Sequence, residues 1–419
     1  MTTSNTIPNR KLAGYEFYRE ILGSPKYVVA PMVDQSELAW RRLSRRYGAQ
    51  LVYTPMIHAK MWAENTNKNI RAAYFDLDAG EEGDVTIDRP LIIQFCGNDP
   101  EKLLISAKEL EGRCDAIDIN LGCPQEIAKK GKYGAFLQDE WDLIYKLINI
   151  LHVNLSIPVT AKFRVFPTVE RTVEYAKMLE RAGAQILTCH GRIREQRGQN
   201  TGVADWAKIR AVKEAVSVPV FANGNILFQS DVEACLRETR CDAVMSAEGQ
   251  LYNAALISLS SALSPSISAS PRPLSLTQHP RHPDLALEYL DIVKSLKTRT
   301  SPSAIKGHLF KIMRPALSRE KDLRERLGRI VIKKGGNYTD TLQPYVDLCL
   351  EMKERMDRDA EAAGDKSLDE LITIDEGTGF RVLPHWLAQP YWRPRKPATA
   401  VGESLLLRLA FAFSVTHIV

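Results

Sequence analysis

The sequence lacks the segments that membrane insertion and secretion require. It contains no run of about 18 uninterrupted apolar residues, and its first residues, MTTSNTIPNRK, carry no apolar stretch of the kind found in secretory signals. The apolar stretch 405–413 is too short to cross a bilayer and is interrupted by Arg408. These absences predict no membrane span and a location in the cytoplasm, the nucleus or both.

The cysteines lack the spacing of zinc sites and of disulfide frameworks. The chain has seven cysteines, with no CxxC pair and no finger-like Cys/His spacing. Such an odd, scattered set favours reduced thiols and no metal. Cys123 differs from the rest because it stands between Gly122 and Pro124 at the end of a strand pattern. The constrained backbone there would hold its thiol at the rim of a sheet.

The positive charge is concentrated in one segment. The chain has a net charge of +5, whereas residues 306–334 contain ten Lys or Arg against three acidic residues, a charge of +7. The rest of the chain is therefore close to neutral. A concentrated basic segment is typical of a surface that binds a polyanion. A solvated helix face is the alternative interpretation.

Short apolar strand patterns alternate with amphipathic helical patterns. The eight strand patterns are 27–31, 51–55, 90–97, 116–122, 158–165, 186–192, 219–225 and 243–249. The six helical patterns are 37–47, 100–110, 139–151, 169–182, 206–215 and 229–238. This alternation predicts an α/β fold, a (β/α)8 TIM barrel. An open doubly wound sheet is less favoured, because polar residues follow nearly every strand and do not gather at one switch point.

The composition changes beyond the barrel pattern. Residues 284–360 are charged and have a helical periodicity, which predicts an all-α domain. Ser and Pro dominate residues 258–283, which predicts a linker. The predicted organisation is an N-terminal extension at 1–25, the barrel at 26–257, the linker at 258–283, a smaller helical domain at 284–360 and an irregular C-terminal tail at 361–419.

Polar and small residues end most of the strand patterns. In a barrel these ends converge on one mouth, so a ring of them predicts a ligand site. The residues are Pro31, Met32, Gln94, Asn120, Cys123, Lys162, Arg164, His190, Arg192, Asn223, Gly224, Asn225, Ala247 and Glu248. The last two strand ends favour a phosphate site, where glycine lets backbone N–H groups approach an anion. Taken singly, Lys162 could face outward, His190 could belong to the core and Asn223–Asn225 could form a simple turn.

Cys123 allows several chemical roles. A metal ligand would need partners, and a nucleophile would need a depressed pKa. A general acid needs a thiol that is still protonated near neutral pH, and an ordinary thiol pKa of about 8.5 meets that condition. A structural cysteine is the remaining alternative.

At these residues the chain resembles the tRNA-dihydrouridine synthases, FMN-dependent enzymes that reduce uridine in tRNA. The resemblance covers 27–256 and continues through KGHLFKIMRP at 306–315. It is carried by APMVDQSELAWRRLSRRYGAQLVYTPM (30–56), DINLGCPQ (118–125), AKFRV (161–165), TCHGR (188–192) and FANGNI (221–226). The segments APMVDQSE and LPHWLAQPYWRP (383–394) are most similar in sequence to the eukaryotic branch that acts on positions 16 and 17 of the D-loop.

The resemblance implies a role for each matching residue. Around the flavin it places Pro31, Met32, Val33, Gln94, Lys162 and His190, with Asn223, Gly224, Asn225, Ala247 and Glu248 around its phosphate. It places Asn120, Arg164 and Arg192 near the target base and Lys306, Lys311 and Arg314 on the tRNA backbone. Cys123 would be the general acid.

The resemblance also implies the reaction and the partners. NADPH or NADH would reduce FMN, hydride would pass from flavin N5 to C6 of uracil, and Cys123 would give a proton to C5. The expected partners are tRNA and NAD(P)H, and the expected state is monomeric. One rival is an FMN barrel that acts on a free pyrimidine, as dihydroorotate dehydrogenases do, and such an enzyme would need no basic helical segment. Another is a tRNA-binding protein without catalysis, against which Cys123, Lys162 and His190 argue.

Overall fold

The computed structural model describes residues 10–198, 201–257, 278–331, 338–376 and 379–391. Eight parallel strands close into a barrel, in the order β1-β2-β4-β5-β6-β7-β8-β9 with β9 paired back to β1. The strands are β1 Tyr27–Val29, β2 Leu51–Tyr53, β4 Leu91–Cys96, β5 Ala116–Leu121, β6 Val159–Arg164, β7 Ala184–His190, β8 Val220–Asn223 and β9 Ala243–Ser246. A short strand that the sequence did not predict, β3 Ile57–His58, pairs with the end of β4. The predicted (β/α)8 barrel is confirmed.

Helices surround the barrel. They are α1 Gly14–Glu20, α2 Leu38–Arg46, α3 Ala59–Glu64, α4 Lys68–Ala72, α5 Pro100–Leu110, α6 Glu126–Lys130, α7 Trp141–Asn154, α8 Val169–Ala182, α9 Trp206–Ala215, α10 Gln229–Thr239 and α11 Glu248–Tyr252, with short 3-10 helices at Glu111–Arg113, Gly134–Leu137 and Ala254–Ile257. The predicted bounds of α5, α8 and α9 agree at both ends. Each of these three begins after a residue, Asp99, Thr168 or Asp205, whose side chain accepts a hydrogen bond from a backbone N–H of the first turn.

The strand pleat separates an apolar outer face from a mixed inner face. On β6, Val159, Ala161 and Phe163 pack into the main core under the helices, whereas Thr160 and Lys162 point into the barrel, where they hydrogen-bond side chains of other strands. The amino end of the barrel interior is apolar and is covered by α1. Polar groups therefore gather at the carboxyl end of the strands.

The second part of the chain is helical and shares a core with the barrel. Its elements are α12 His282–Ser295, α13 Pro302–Ile312, α14 Arg314–Leu317, α15 Lys321–Arg329, α16 Tyr338–Thr341, α17 Gln343–Ala362, α18 Leu368–Leu371 and the antiparallel pair β10 Thr373–Ile374 and β11 Arg381–Val382. Residues of α2 and α11 belong to the same apolar cluster as α12, α13 and α17. Helix α12 begins at His282, two residues before the predicted start of the helical domain. Residues 258–277 of that linker and 392–419 of the tail lie outside the described residues. None of the described helices has the length and apolar character needed to cross a bilayer.

A buried polar junction joins the two parts. Tyr289 of α12 donates a hydrogen bond to Glu37 Oε1 (2.8 Å), and His308 Nε2 of α13 lies 3.0 Å from Glu37 Oε2. The His308 ring stacks on Trp40 of α2, with 4.1 Å between the ring centroids. Burial raises the pKa of Glu37, but His308 and Tyr289 more than offset this effect, so its pKa is lowered overall. One carboxylate thus fixes the orientation of two helices against the barrel.

Removing this carboxylate is expected to destabilise the whole protein. Glu37→Ala leaves the buried His308 and Tyr289 groups without their acceptor, and we expect it to lower the free energy of unfolding by about 2–4 kcal/mol. Tyr289→Phe removes only one hydrogen bond and should cost about 1 kcal/mol. Urea unfolding of both variants measures the difference. Equal stability of Glu37→Ala and the wild type would show that the junction contributes nothing.

Candidate active site at the carboxyl end of the barrel

Cys123 lies on a tightly held turn two residues after β5. The backbone N–H groups of Gly122 and Cys123 donate to Asn120 Oδ1, at 3.1 and 2.9 Å, and Arg164 Nε donates to the Gly122 carbonyl at 2.8 Å. On the far side, the Ala135 N–H donates to the Cys123 carbonyl. Gly134, at φ +64°, lies so close that an added Cβ would be 2.8 Å from that carbonyl. The turn is therefore fixed from both sides.

The surroundings of Cys123 keep its thiol protonated. Burial raises its pKa above the ordinary value, and a backbone N–H together with the positive charges of Arg164 and Lys162 offset only part of this effect. The side chain is half-buried, whereas the other six cysteines are buried. A protonated, reachable thiol suits a general acid better than a thiolate nucleophile or a metal ligand. Within the described ranges, no three His, Cys, Asp or Glu side chains gather as a metal site would require.

A chain of buried side-chain hydrogen bonds lies below this turn. Asn120 Nδ2 donates to Gln94 Oε1 (2.8 Å), and Gln94 Nε2 donates to Asp118 Oδ2 (2.7 Å). Thr160 Oγ1 donates to the other oxygen of Asp118 at 2.6 Å. Gln94, Asp118 and Thr160 are completely buried. Burial raises the pKa of Asp118 to about 6, although its hydrogen bonds and Lys162 oppose this shift.

Sequence reasoning missed Asp118 and Thr160 as site residues. Both carry a visible signal, since each is a polar residue on the inner face of an otherwise apolar strand. Asp118 is two residues before Asn120 on β5, and Thr160 is two residues before Lys162 on β6. The parallel register pairs Asp118 with Thr160 and Asn120 with Lys162. That register is what brings the two strands' polar residues together.

Lys162 and His190 occupy the neighbouring strands. Lys162 Nζ lies 3.1 Å from Asn223 Oδ1, and His190 Nε2 lies 3.1 Å from Arg192 Nη1. Desolvation and the nearby Arg164 lower the pKa of Lys162 to about 8, although Asp118 acts in the opposite direction. Desolvation, followed by the charges of Lys162 and the arginines, lowers the pKa of His190 well below its usual value. His190 is therefore neutral at physiological pH.

The mouth is positively charged and suits an anionic ligand. The charges of Lys162, Arg164 and Arg192 all lower the pKa of His190. The buried carboxylate of Asp118 acts in the opposite direction on the pKa of Lys162. Arg192 Nη2 also donates to Asn225 Oδ1 (2.6 Å). An excess of partly desolvated cations at one site favours binding of a phosphate or another anion. The donor set therefore fits a phosphate-bearing cofactor.

The ends of β8 and β9 lie side by side, as a phosphate site there would require. Asn223 Nδ2 donates to the Met245 carbonyl at 2.8 Å. Gly224 has φ +118°, and an added Cβ would lie 2.7 Å from the Ala204 Cβ, so only glycine fits there. Ala247 precedes α11. Burial lowers the pKa of Lys311 in the helical part, and the negative charge of the exposed Glu248 side chain opposes this shift.

The turn after β1 forms another part of the rim. The Met32 N–H donates to Ser36 Oγ at 2.9 Å, and Met32 packs against the apolar clusters. Pro31 is half-buried, while Val33 is 58% exposed. Their predicted contact with a flavin stays a prediction.

Several residues predicted to touch RNA have partners within the chain. Arg164 donates to the carbonyls of Gly122, Ile193 and Gln196. In the helical part, Lys306 donates to the Gly328 and Ile330 carbonyls, Lys311 donates to Gln35 Oε1 (2.6 Å), and Arg314 lies over the Tyr391 ring at 3.8 Å. Long basic side chains near a helix end satisfy its last carbonyls in this way. Contact of these residues with tRNA stays a prediction.

Comparison with known proteins agrees with this geometry. The family model described as "Dihydrouridine synthase (Dus)" matches residues 28–344. A tRNA-dihydrouridine(16/17) synthase (NAD(P)(+)) of Schizosaccharomyces pombe is 45% identical over 95% of this chain and 97% of its own length. The protein of the same name from Saccharomyces cerevisiae is 44% identical over 94% of this chain and 89% of its own. A human tRNA-dihydrouridine(20a/20b) synthase-like protein is 36% identical over 55% of this chain and 69% of its own.

Proposed function

This chain belongs to the dihydrouridine synthase family, and we propose that it reduces the C5=C6 bond of uridine at positions 16 and 17 of the tRNA D-loop. The family predicted from the motifs is thus confirmed. The similarity to the (16/17) synthases extends over nearly the whole chain, whereas the similarity to the (20a/20b) protein covers about half of it. The observation that carries the proposal is the half-buried, protonated thiol of Cys123 at the positively charged mouth.

The proposal includes FMN as cofactor and NADPH or NADH as its reductant. Lys162, His190 and Asn223–Asn225 would hold FMN, because they combine positive charge, a neutral imidazole and a glycine turn at the end of β8. When bound and reduced, FMN supplies the hydride. A cation placed where negative charge develops is among the strongest contributions an enzyme makes.

The remaining chemistry is carried out by the protein. Cys123 donates a proton to C5 of the base, and the hydrogen bonds to its turn fix where that proton is delivered. A positioned acid contributes about 10²–10⁴-fold to a rate. The target base must leave its stack to reach a barrel mouth. We therefore propose that Asn120, Arg164 and Arg192 at the rim meet it there.

The helical part is proposed to bind the tRNA backbone. Lys321 and Arg324 on α15 are exposed, and within the described residues neither joins an ion pair. Arg326, Arg329 and Arg355 nearby are paired with acidic side chains. Lys321 and Arg324 are therefore better candidates for phosphate contacts than the partnered Lys306, Lys311 and Arg314.

Neutralising Lys321 and Arg324 is expected to weaken tRNA binding without changing its sequence preference. Each lost phosphate contact should lower the slope of log affinity against log salt by about one. Lys321→Gln/Arg324→Gln would thus lower it by about two, measured by filter binding between 50 and 200 mM salt. The matched control is Lys146→Gln/Lys177→Gln, which neutralises exposed residues on barrel helices α7 and α8 and should leave the slope unchanged. Equal slopes for the wild type and the α15 variant would remove this surface from the proposal.

The function is tested with purified protein and unmodified tRNA. The protein should be yellow or become yellow with FMN, and with NADPH it should form dihydrouridine in tRNA that carries U16 and U17 but not in tRNA with cytidine at both positions. Uridine monophosphate should turn over far more slowly, because it lacks the tRNA backbone that the helical part is proposed to bind. Equal turnover of the free nucleotide would favour the free-pyrimidine alternative. We also propose a monomer located in the cytoplasm or nucleus, where tRNA is found.

A further inference from the structure

We propose that Asp118 is a positioning residue for Cys123, because its carboxylate orients the side-chain amides of Gln94 and Asn120 and thereby holds the turn that carries the thiol. The proposal rests on the proposed function, since the position of the thiol matters only if it delivers a proton. Asp118 does not reach Cys123 directly. It acts through a continuous series of hydrogen bonds that runs from β5 to Gln94 on β4 and back to Asn120 on β5.

The chain of hydrogen bonds has four links. Thr160 and Gln94 each donate to one oxygen of Asp118, at 2.6 and 2.7 Å. Asn120 donates to the Gln94 carbonyl at 2.8 Å. The Asn120 carbonyl then accepts the N–H groups of the next turn, with Cys123 N at 2.9 Å. All of these side chains come from the inner face of adjacent strands, so the barrel sets their spacing.

The carboxylate gives this chain a direction. A carboxylate can only accept hydrogen bonds, so it selects the orientation of Gln94 in which the NH2 group faces Asp118. The Gln94 carbonyl then selects the NH2 group of Asn120, which leaves the Asn120 carbonyl for the backbone of the turn. Reversing either amide would bring two donors or two acceptors together in a buried site, at a high cost.

Alkylation of Cys123 by iodoacetamide tests the proposal without any tRNA. Asp118→Leu removes the acceptor at similar volume, so the turn should open and the thiol should lose part of its burial. We expect Cys123 in the full-length protein to react about tenfold faster, since the reagent attacks exposed thiolate. Peptide mass spectrometry separates Cys123 from the six buried cysteines. Urea unfolding verifies that the variant is folded.

Two variants show whether the effect is specific. Asp118→Asn should restore a rate close to that of the wild type, because its carbonyl can accept from Gln94 while its NH2 group donates to Thr160. Tyr175→Phe is the matched control, since it removes a buried hydroxyl of α8 that has no hydrogen-bond partner among the described residues. It should leave the alkylation rate unchanged.

A double variant tests whether the effect passes through Asn120. If it does, Cys123 in Asp118→Leu/Asn120→Ala is alkylated no faster than in Asn120→Ala alone, because both changes break the same series of hydrogen bonds. Should Asp118→Leu fail to fold, Gln94→Met breaks the same chain at its centre and is expected to give the same acceleration. A wild-type alkylation rate in folded Asp118→Leu or Gln94→Met, or additive effects in the double variant, would overturn the proposal. Faster alkylation together with full activity of Cys123→Ala would instead overturn the proposed function alone.

Discussion

Cys123→Ala is expected to bind tRNA normally and to form dihydrouridine about 10²–10⁴-fold more slowly than the wild type. The half-buried thiol at the mouth is the group placed to supply the proton, and its raised pKa keeps that proton available at neutral pH. Water would replace it poorly, because hydrogen bonds hold the turn that carries the thiol in place, whereas a water molecule would have to be positioned anew. Single-turnover formation of dihydrouridine by mass spectrometry measures the loss.

The defect of Cys123→Ala should be confined to the second half of the reaction. Flavin reduction by NADPH needs no acid at the uridine, so its rate should stay within about twofold of the wild type. Cys96→Ala is the matched control, because Cys96 lies in the same small cluster but is buried and has a raised pKa. Unchanged dihydrouridine formation in Cys123→Ala would assign the acid to another group.

Lys162→Met is expected to slow NADPH-dependent flavin reduction by about 10²–10³-fold, comparable with the loss of one donor from an oxyanion hole. Its partly buried ammonium would place positive charge beside the proposed cofactor as that cofactor gains electrons. Stopped-flow absorbance at saturating FMN measures the rate. Lys146→Met on the barrel surface serves as the control and should leave the rate unchanged.

The same substitution is expected to stabilise the fold at neutral pH. Burial lowers the pKa of Lys162 from 10.5 to about 8, so the charged lysine disfavours the FMN-free folded state at every pH below about 8. This cost disappears as the pH rises from about 8 to 10.5. Lys162→Met should therefore unfold at higher urea concentration than the wild type at pH 7, and the difference should shrink by pH 10. A less stable variant at pH 7 would show that groups within the protein already stabilise the Lys162 ammonium, so that it needs no bound anion.

The strand ends show how much of the candidate site could be predicted from the sequence. Cys123, Lys162 and His190 were recognisable because each interrupts or ends an apolar pattern, and the structure places all three at the mouth. Helices α5, α8 and α9 were predicted at both ends because local capping residues determine them. In contrast, Lys306, Lys311 and Arg314 each contact a partner from a distant segment of the chain. A count of charges along the sequence could not distinguish these partnered cations from unpartnered ones.

The sequence by itself determined the alternation of strands and helices and the chemical identity of the groups at the strand ends. These depend on local periodicity and on side-chain chemistry. Only the tertiary structure decided that Asp118 meets Thr160 and Gln94, and that Glu37 joins α12 and α13 to the barrel. The physical reason is that strand register and helix docking depend on how the whole core packs. A hydrogen bond between residues that are 42 or 271 positions apart cannot be predicted from the residues next to either partner in the sequence.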